Sequence, residues 1–162
     1  MHSSARLALV ALALFTIPSG IQAQATLGPA VAYHDDFNLG IGAALNVPIQ
    51  EFGRGVAVLA DFFYFFPDGD VDYLEINANL TYTFPRDEVE SSFFAPYVLA
   101  GLNVANLSTD LADSGTTELD FNLGGGAYFD LGSFRPNVGV KIEVNGGSGF
   151  VVFAHLPFVI GQ

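Results

Sequence analysis

The sequence contains no cysteine and only five lysine and arginine residues, against 17 aspartate and glutamate residues. The absence of cysteine excludes a disulfide framework and a lipoprotein anchor. The shortage of basic residues argues against nucleic acid as a partner, because phosphate backbones are bound by clusters of lysine and arginine. Beyond residue 25 the sequence also lacks an apolar run long enough for a transmembrane helix, although 51% of the whole chain is hydrophobic. The apolar residues must therefore follow another pattern.

Residues 1–25 have the pattern of a cleaved secretory signal peptide. Arg6 provides a positive charge, Leu7–Ile17 is apolar, and the segment Pro18-Ser19-Gly20 interrupts it. The small residues Ala23 and Ala25 then predict cleavage after Ala25, with Ala23 as the alternative site. An amphipathic N-terminal helix fits these features less well. The remaining residues, 26–162, are predicted to form one domain, because they are too few for two.

The segment Tyr73–Phe84 alternates between apolar and polar side chains. One set of alternate residues contains Leu74, Ile76 and Leu80, and the other contains polar residues such as Glu75. A period of two indicates a β-strand with two unlike faces. Soluble strands typically run about 5–6 residues. A strand of about ten residues with one apolar face is typical of a membrane-spanning β-barrel.

The same alternation recurs along the chain and predicts eight strands that are joined by turns rich in glycine, proline and aspartate. The predicted fold is all-β, an eight-stranded antiparallel up-and-down transmembrane β-barrel. The first strand must pair with the eighth, because lipid does not tolerate an open sheet edge. The alternative fold is a soluble, secreted barrel with a buried aromatic core.

The alternation also assigns side chains to the two faces of the barrel. The predicted lipid face includes Leu74, Ile76, Leu80, Val138, Val140 and Ile142. The predicted lumen network consists of Asp61, Glu75, Asp120, Asp130, Lys141, Glu143 and His155. Lys141 is the only basic member, so we expect it to bind one or more of the carboxylates. An ion or proton path is the alternative interpretation of these charges, but an eight-stranded barrel is narrow enough to be filled by side chains.

The turns fall into two groups according to charge. Arg54, Arg86 and Arg135 lie in alternate turns, which places them at one end of the barrel. The other turns contain Asp35 and Asp36 and further acidic pairs, and the longest of them is the predicted loop 107–117. With the N-terminus in the periplasm, the arginine turns are predicted to be periplasmic and the acidic end to face outside. Aromatic residues near both ends are typical of interfacial girdles.

Several of these strands resemble the outer membrane protein β-barrel domain family, the small OmpA- and OmpX-like eight-stranded barrels. The resemblance covers residues 26–162 and is carried by segments 39–45, 97–102, 122–129 and 136–140. It implies a monomer in the outer membrane, with lipids as its surroundings and with periplasmic chaperones and the barrel-assembly machinery as partners in biogenesis. The family usually ends in an aromatic residue, whereas here Phe158 is followed by Val-Ile-Gly-Gln.

Motifs for cofactors, metals and catalysis are weak in this sequence. The segment 68–72 resembles the start of a calcium loop, but it lacks the glycine at position six and the glutamate at position twelve. A loose divalent site there is the alternative to an ordinary acidic turn. The glycine-rich segments are not phosphate loops, because no Gly-Lys-Ser/Thr follows them. No cofactor or metal site is predicted.

An enzyme would need a nucleophile, a base and an orienting group that converge. His34, beside two aspartates and with Ser148 as a candidate neighbour, is expected at the outer rim, and His155 lies in the lower half of its strand. We therefore predict a non-enzymatic barrel with a structural or surface-interacting role, a side-chain-filled polar lumen and no wide pore. The alternatives are a narrow ion or solute channel, which the inward Phe63 and Phe65 disfavour, and a lipid A-modifying enzyme.

Overall fold

The computed structural model describes residues 25–67, 71–85, 89, 93–109, 115–132, 134–145 and 147–160. The predicted signal peptide, apart from Ala25, lies outside these residues. The same is true of the predicted periplasmic Arg86 and of most of the acidic turns at 68–70 and 110–114. Among the described residues, no helix is both long and apolar enough to span a membrane.

The described chain consists almost entirely of β-strands and the turns between them. A short 3₁₀ helix, Gln50–Phe52, lies in the turn between the second and third strands. The strands are β1 (Ala25–His34), β2 (Asn38–Pro48), β3 (Val56–Phe65), β4 (Val71–Thr83), β5 (Phe94–Thr109), β6 (Thr116–Phe129), β7 (Asn137–Asn145), β8 (Gly147–His155) and β9 (Phe158–Ile160).

The sheet closes into a barrel because β1 has partners on both sides. Each strand from β1 to β7 pairs antiparallel with the next one in the sequence. The other edge of β1 pairs with β8, where Ala30 lies opposite His155, and with β9, where Leu27 lies opposite Phe158. The segments β8 and β9 are thus two parts of one spanning strand. The structure confirms the predicted eight-stranded antiparallel up-and-down barrel.

Proline interrupts the closing seam between β8 and β9. The constant register places Pro157 opposite Gly28 and Leu156 opposite Pro29, and neither proline has an N–H group to donate to the ladder. The backbones also approach closely, because a Cβ atom added to Gly28 would lie 2.2 Å from the carbonyl oxygen of Leu156. Glycine is therefore required at position 28, and the seam still closes through the Leu156 N–H, which donates to Pro29 O at 2.9 Å.

The two faces of the sheet have opposite character, and the core lies inside the barrel. Phe63 and Phe65 are both 0% exposed, whereas the outward Leu80 and Phe121 are 54% and 58% exposed. The buried apolar cluster also includes Ala30, Ala32, Leu59, Tyr97, Leu99, Val151 and Phe153. A chain with this pattern leaves its apolar side chains on the outside of the sheet and closes around a core of mixed polarity.

The hairpin of β5 and β6 is longer than its alternation predicts. The predicted loop at 107–117 begins too early and ends too late, because Asn106 pairs with Thr117 and Leu107 pairs with Thr116. On its other side β5 continues alongside β4 as far as the pair Val71 and Thr109. Backbone ladder bonds do not require apolar side chains, so the strands continue beyond the point where the outward apolar residues end.

Candidate functional site

The interior of the barrel is the candidate site, because alternation directs the inward residues of every strand into one narrow lumen. Lys141 on β7 lies at the centre of its polar part. Its ammonium group donates to Glu143 Oε1 at 2.5 Å, to Asn77 Oδ1 at 2.8 Å and to Glu75 Oε2 at 3.1 Å. These acceptors satisfy all three donors of an ammonium group. The structure thus brings Lys141 together with two of the predicted carboxylates, one of them on β4.

Asparagine side chains connect these charges to the rest of the lumen. The amide of Asn77 donates to Asp61 Oδ1 at 2.7 Å and to Glu75 Oε2 at 3.3 Å. Asn122 donates to Asn77 Oδ1 at 2.8 Å and to Asn79 Oδ1 at 2.9 Å, and Asn103 donates to Glu143 Oε1 at 2.8 Å. Alternation had placed these amides on the inward face, but their role as links within the network was not predicted.

His34 is the functional candidate whose contacts sequence reasoning missed. It was expected at the outer rim, and its side chain lies buried at the end of β1. Its Nε2 lies 3.5 Å from Glu143 Oε2 and 4.0 Å from Glu75 Oε1. Its Nδ1 accepts a hydrogen bond from Asp36 N at 3.0 Å and lies 3.2 Å from Asp35 Oδ1. The sequence did contain a signal for an inward side chain, because His34 follows Ala30 and Ala32 at alternate positions of the same strand.

Aromatic rings close the lumen around His34. The rings of Phe37 and Tyr73 stack with centroids 3.6 Å apart and an interplanar angle of 14°. The ring of His34 lies 4.8 Å from Phe37 and 5.7 Å from both Tyr73 and Phe65. Together with the fully buried Phe63, these side chains pack inside the barrel near the outer end of β1.

His155 and two further predicted lumen acids, Asp61 and Asp120, are also buried inside the barrel. The Nδ1 atom of His155 lies 3.3 Å from Asn137 Nδ2, and its Nε2 lies 3.9 Å from Asp61 Oδ2. Its ring stacks on Phe153 with centroids 4.8 Å apart. Asp120 is buried on β6, where it lies opposite Asn103. His155 and Asp61 therefore meet at mid-barrel, away from His34.

Asp130 does not lie in the lumen network, although its parity predicted this position. The strand β6 ends at Phe129, so Asp130 belongs to the following turn. There its Oδ1 accepts a hydrogen bond from Gly132 N at 3.3 Å and lies 3.9 Å from Arg135 Nε. Alternation assigns a side chain to one face of the sheet only within a strand, and here the strand has already ended. The structure places the partly buried Asp130 at the arginine end instead.

Two of the predicted turn arginines lie at the same mouth of the barrel. Arg54 and Arg135 both line an open cavity of about 460 Å³, together with Asn46, Phe84 and Tyr128. Asn46 Nδ2 donates to the Tyr128 hydroxyl at 2.7 Å and so links β2 to β6 beside this cavity. The predicted lipid-face residues on β7 are Val138, Val140 and Ile142. Their side chains lie on the outer face of the barrel and are between 43% and 48% exposed. On β4, Leu74 and Ile76 are half-buried outward residues.

Comparisons with known proteins find similar folds among solved structures. No protein-family model matches the sequence, and no curated protein sequence matches it. The N-terminal β-barrel domain of OprF from Pseudomonas aeruginosa matches with a TM-score of 0.64 and 15% identity, over 86% of this chain and 100% of that one. Neisserial surface protein A matches with a TM-score of 0.58 and 16% identity, over 84% and 96% of the two chains.

A third similar structure is Ail, the attachment invasion locus protein of Yersinia pestis. It matches with a TM-score of 0.52 and 16% identity, over 84% of this chain and 97% of that one. At these identities the likeness concerns the fold alone. The chain therefore has the fold of the small eight-stranded outer-membrane barrels.

Proposed function

We propose that this protein is a small integral outer-membrane barrel with a structural or surface-interacting role, and that its polar lumen is closed. One observation carries the proposal, namely the inverted distribution of side chains. Glu75 and Lys141 are buried inside the barrel, whereas Leu80, Phe121 and many other large apolar residues are exposed around it. A soluble barrel has the reverse arrangement, and a continuous apolar belt of this kind is a membrane contact.

The orientation in the membrane follows from the turns. An up-and-down barrel with an even number of strands has its first and last strand ends on the same side. Arg54 and Arg135 lie at that side. We assign this end to the periplasm and the turn with the exposed Asp35 and Asp36 to the cell surface. In this view the chain is exported, assembled by periplasmic chaperones and the barrel-assembly machinery, and remains a monomer surrounded by lipid.

A closed lumen rather than a channel is supported by its packing. Phe63 and Phe65 are fully buried, and Lys141 joins β7 to β4 across the interior through Glu75. The position of His34 also favours a non-enzymatic role. Its ring faces the lumen beneath Phe37 and Tyr73, so it does not reach the lipid face where a lipid A substrate lies.

Heat-modifiable migration tests the membrane barrel. We expect the protein to sediment with outer membranes, to require detergent for extraction, and to migrate faster on cold SDS gels before boiling than after it. Such a shift reflects a closed barrel that resists SDS. Extraction by high salt without detergent, with the protein then remaining in solution, would contradict membrane insertion.

Planar-bilayer recording tests the closed lumen. We expect no discrete conductance from the folded protein, because buried aromatic rings and the ion-paired Lys141 occupy the lumen. The matched variant is Phe63→Ala, which opens space within the same lumen without touching a charge. Regular openings in the unmodified protein would establish the narrow-channel alternative.

A further inference from the structure

We propose that the outer part of the lumen contains a binding site for a divalent transition-metal ion such as Zn²⁺, with His34, Glu75 and Glu143 as its ligands. One ligand atom from each of the three residues lies within 4.8 Å of the other two. His34 Nε2 lies 3.5 Å from Glu143 Oε2 and 4.0 Å from Glu75 Oε1, so these are the candidate ligand atoms. The residues come from three strands, β1, β4 and β7, and all three side chains are buried. One imidazole nitrogen with two carboxylate oxygens is a ligand set that suits zinc and its first-row neighbours.

The ligand oxygens are directed away from Lys141. Lys141 binds Glu75 Oε2 and Glu143 Oε1, which leaves Glu75 Oε1 and Glu143 Oε2 directed towards His34. Glu75 is 0% exposed, and its Oε1 has no hydrogen-bond partner in the part of the chain that the structure describes. A buried carboxylate oxygen is costly without a partner. A bound cation at this position supplies one.

Gly149 leaves space beside two of the ligand atoms. A Cβ atom added at this position would lie 2.8 Å from His34 Nε2 and 3.3 Å from Glu143 Oε2. Gly149 lies directly opposite Glu143 in the ladder between β7 and β8. Any other residue would push a side chain between the imidazole and this carboxylate, so glycine keeps the site open.

The surrounding charges favour a cation. The buried carboxylates Asp61, Glu75, Asp120 and Glu143 outnumber the ammonium group of Lys141, so a divalent ion reduces the net negative charge of the lumen.

The outer turn positions the histidine for binding. When Nε2 coordinates a metal through its lone pair, the ring proton resides on Nδ1, and Asp35 Oδ1 at 3.2 Å accepts it. The hydrogen bond that Nδ1 then donates to Asp35 replaces the one that Nδ1 accepts from Asp36 N. A carboxylate that orients a metal-binding imidazole is a common arrangement.

Metal binding by the intact barrel tests the site. Untagged protein is refolded into detergent in the presence of Zn²⁺, passed through a desalting column, and assayed for zinc by mass spectrometry. Affinity is then measured by competition with a chromophoric chelator. We expect one zinc ion per barrel. His34→Gln removes the nitrogen ligand and Gly149→Ala fills the space without removing a ligand, and we expect each to weaken binding by about tenfold or more.

His155→Gln is the matched control, because it removes the other buried lumen histidine and leaves the proposed ligands in place. Each variant is checked for heat-modifiable migration, so that loss of zinc is compared only among folded barrels. Cobalt substitution provides a second readout, since its visible absorption should change in His34→Gln and not in His155→Gln. Substoichiometric zinc in the unmodified protein, or equal affinity in His34→Gln and His155→Gln, would overturn the proposal.

Discussion

The two faces of β4 share one backbone and have opposite environments. Its outward residues Leu74, Ile76 and Leu80 contact the surroundings of the barrel, whereas its inward residues Glu75 and Asn77 are buried in a network of charges and amides. In the proposed membrane setting, the outward face is in contact with lipid and needs no specific partner on another strand. The inward face depends on specific partners on other strands, so a single change there leaves several groups without partners.

Removal of Lys141 should produce the largest effect on the inward face. Lys141→Met keeps most of the side-chain volume but leaves Glu75 and Glu143 buried without their counter-charge. Breaking a buried ion pair from one side costs about 3–5 kcal/mol. We expect this loss in the free energy of unfolding, measured by urea titration in lipid vesicles. The triple variant that adds Glu75→Gln and Glu143→Gln should recover part of it. A loss below about 1 kcal/mol would place these carboxylates in contact with water instead.

A charge on the outward face should be the next most harmful change. Leu80→Arg places a guanidinium group in the lipid, which costs about 2–4 kcal/mol near the membrane midplane and less towards the interfaces. Folding yield and urea titration in the same vesicles measure this cost, with Leu80→Met as the control. An equal effect of both variants would show that Leu80 does not face lipid.

Loss of an amide from the inward face should have an intermediate effect. Asn77→Ala removes the amide that donates to Asp61 and Glu75. It also removes the Oδ1 atom that accepts from Lys141 and Asn122. Buried groups left without partners cost about 1–3 kcal/mol. The comparison with Ala78→Gly, an outward neighbour on the same strand, separates lost hydrogen bonds from a general weakening of the strand. Similar losses from the two changes would contradict the proposed importance of the amide.

A neutral hydrogen bond on the inward face should contribute least. Thr81 Oγ1 donates to Ala57 O at 3.2 Å, and Thr81→Val replaces the hydroxyl by a methyl group of similar size. We expect a loss of about 0.5–1.5 kcal/mol in the free energy of unfolding. If Thr81→Val were as unstable as Lys141→Met, the ion pairs of the lumen would contribute no more to stability than this neutral hydrogen bond.

The sequence predicted the faces of the strands better than the contacts between them. Parity placed Glu75, Asn77 and Lys141 inside correctly, because a period of two is a local property of each strand. Parity was misleading for Asp130, which lies just beyond the end of a ladder. The bounds of the predicted loop 107–117 were wrong for a related reason. The outward apolar pattern of β5 ends at Val104, whereas its ladder with β4 continues to Thr109.

His34 shows why the candidate site was harder to predict than the fold. Its neighbours Asp35 and Asp36 indicated a position at the outer rim, and no feature near it in the sequence indicates Glu143. Only the closed barrel brings β1 close enough to β7 and β4 for these three side chains to meet. The proposed metal site depends on that closure, so no local motif in the sequence predicts it.

The sequence by itself determined the number of strands, their antiparallel order and the face that each side chain takes, because alternation and turn residues act over a few neighbouring positions. Tertiary structure decided which charges meet. Glu75 and Lys141 lie on strands that are not neighbours in the sheet, and they contact each other across the lumen. That contact depends on the register of every ladder between them and on the closure of β1 with β8 and β9, which no local pattern encodes.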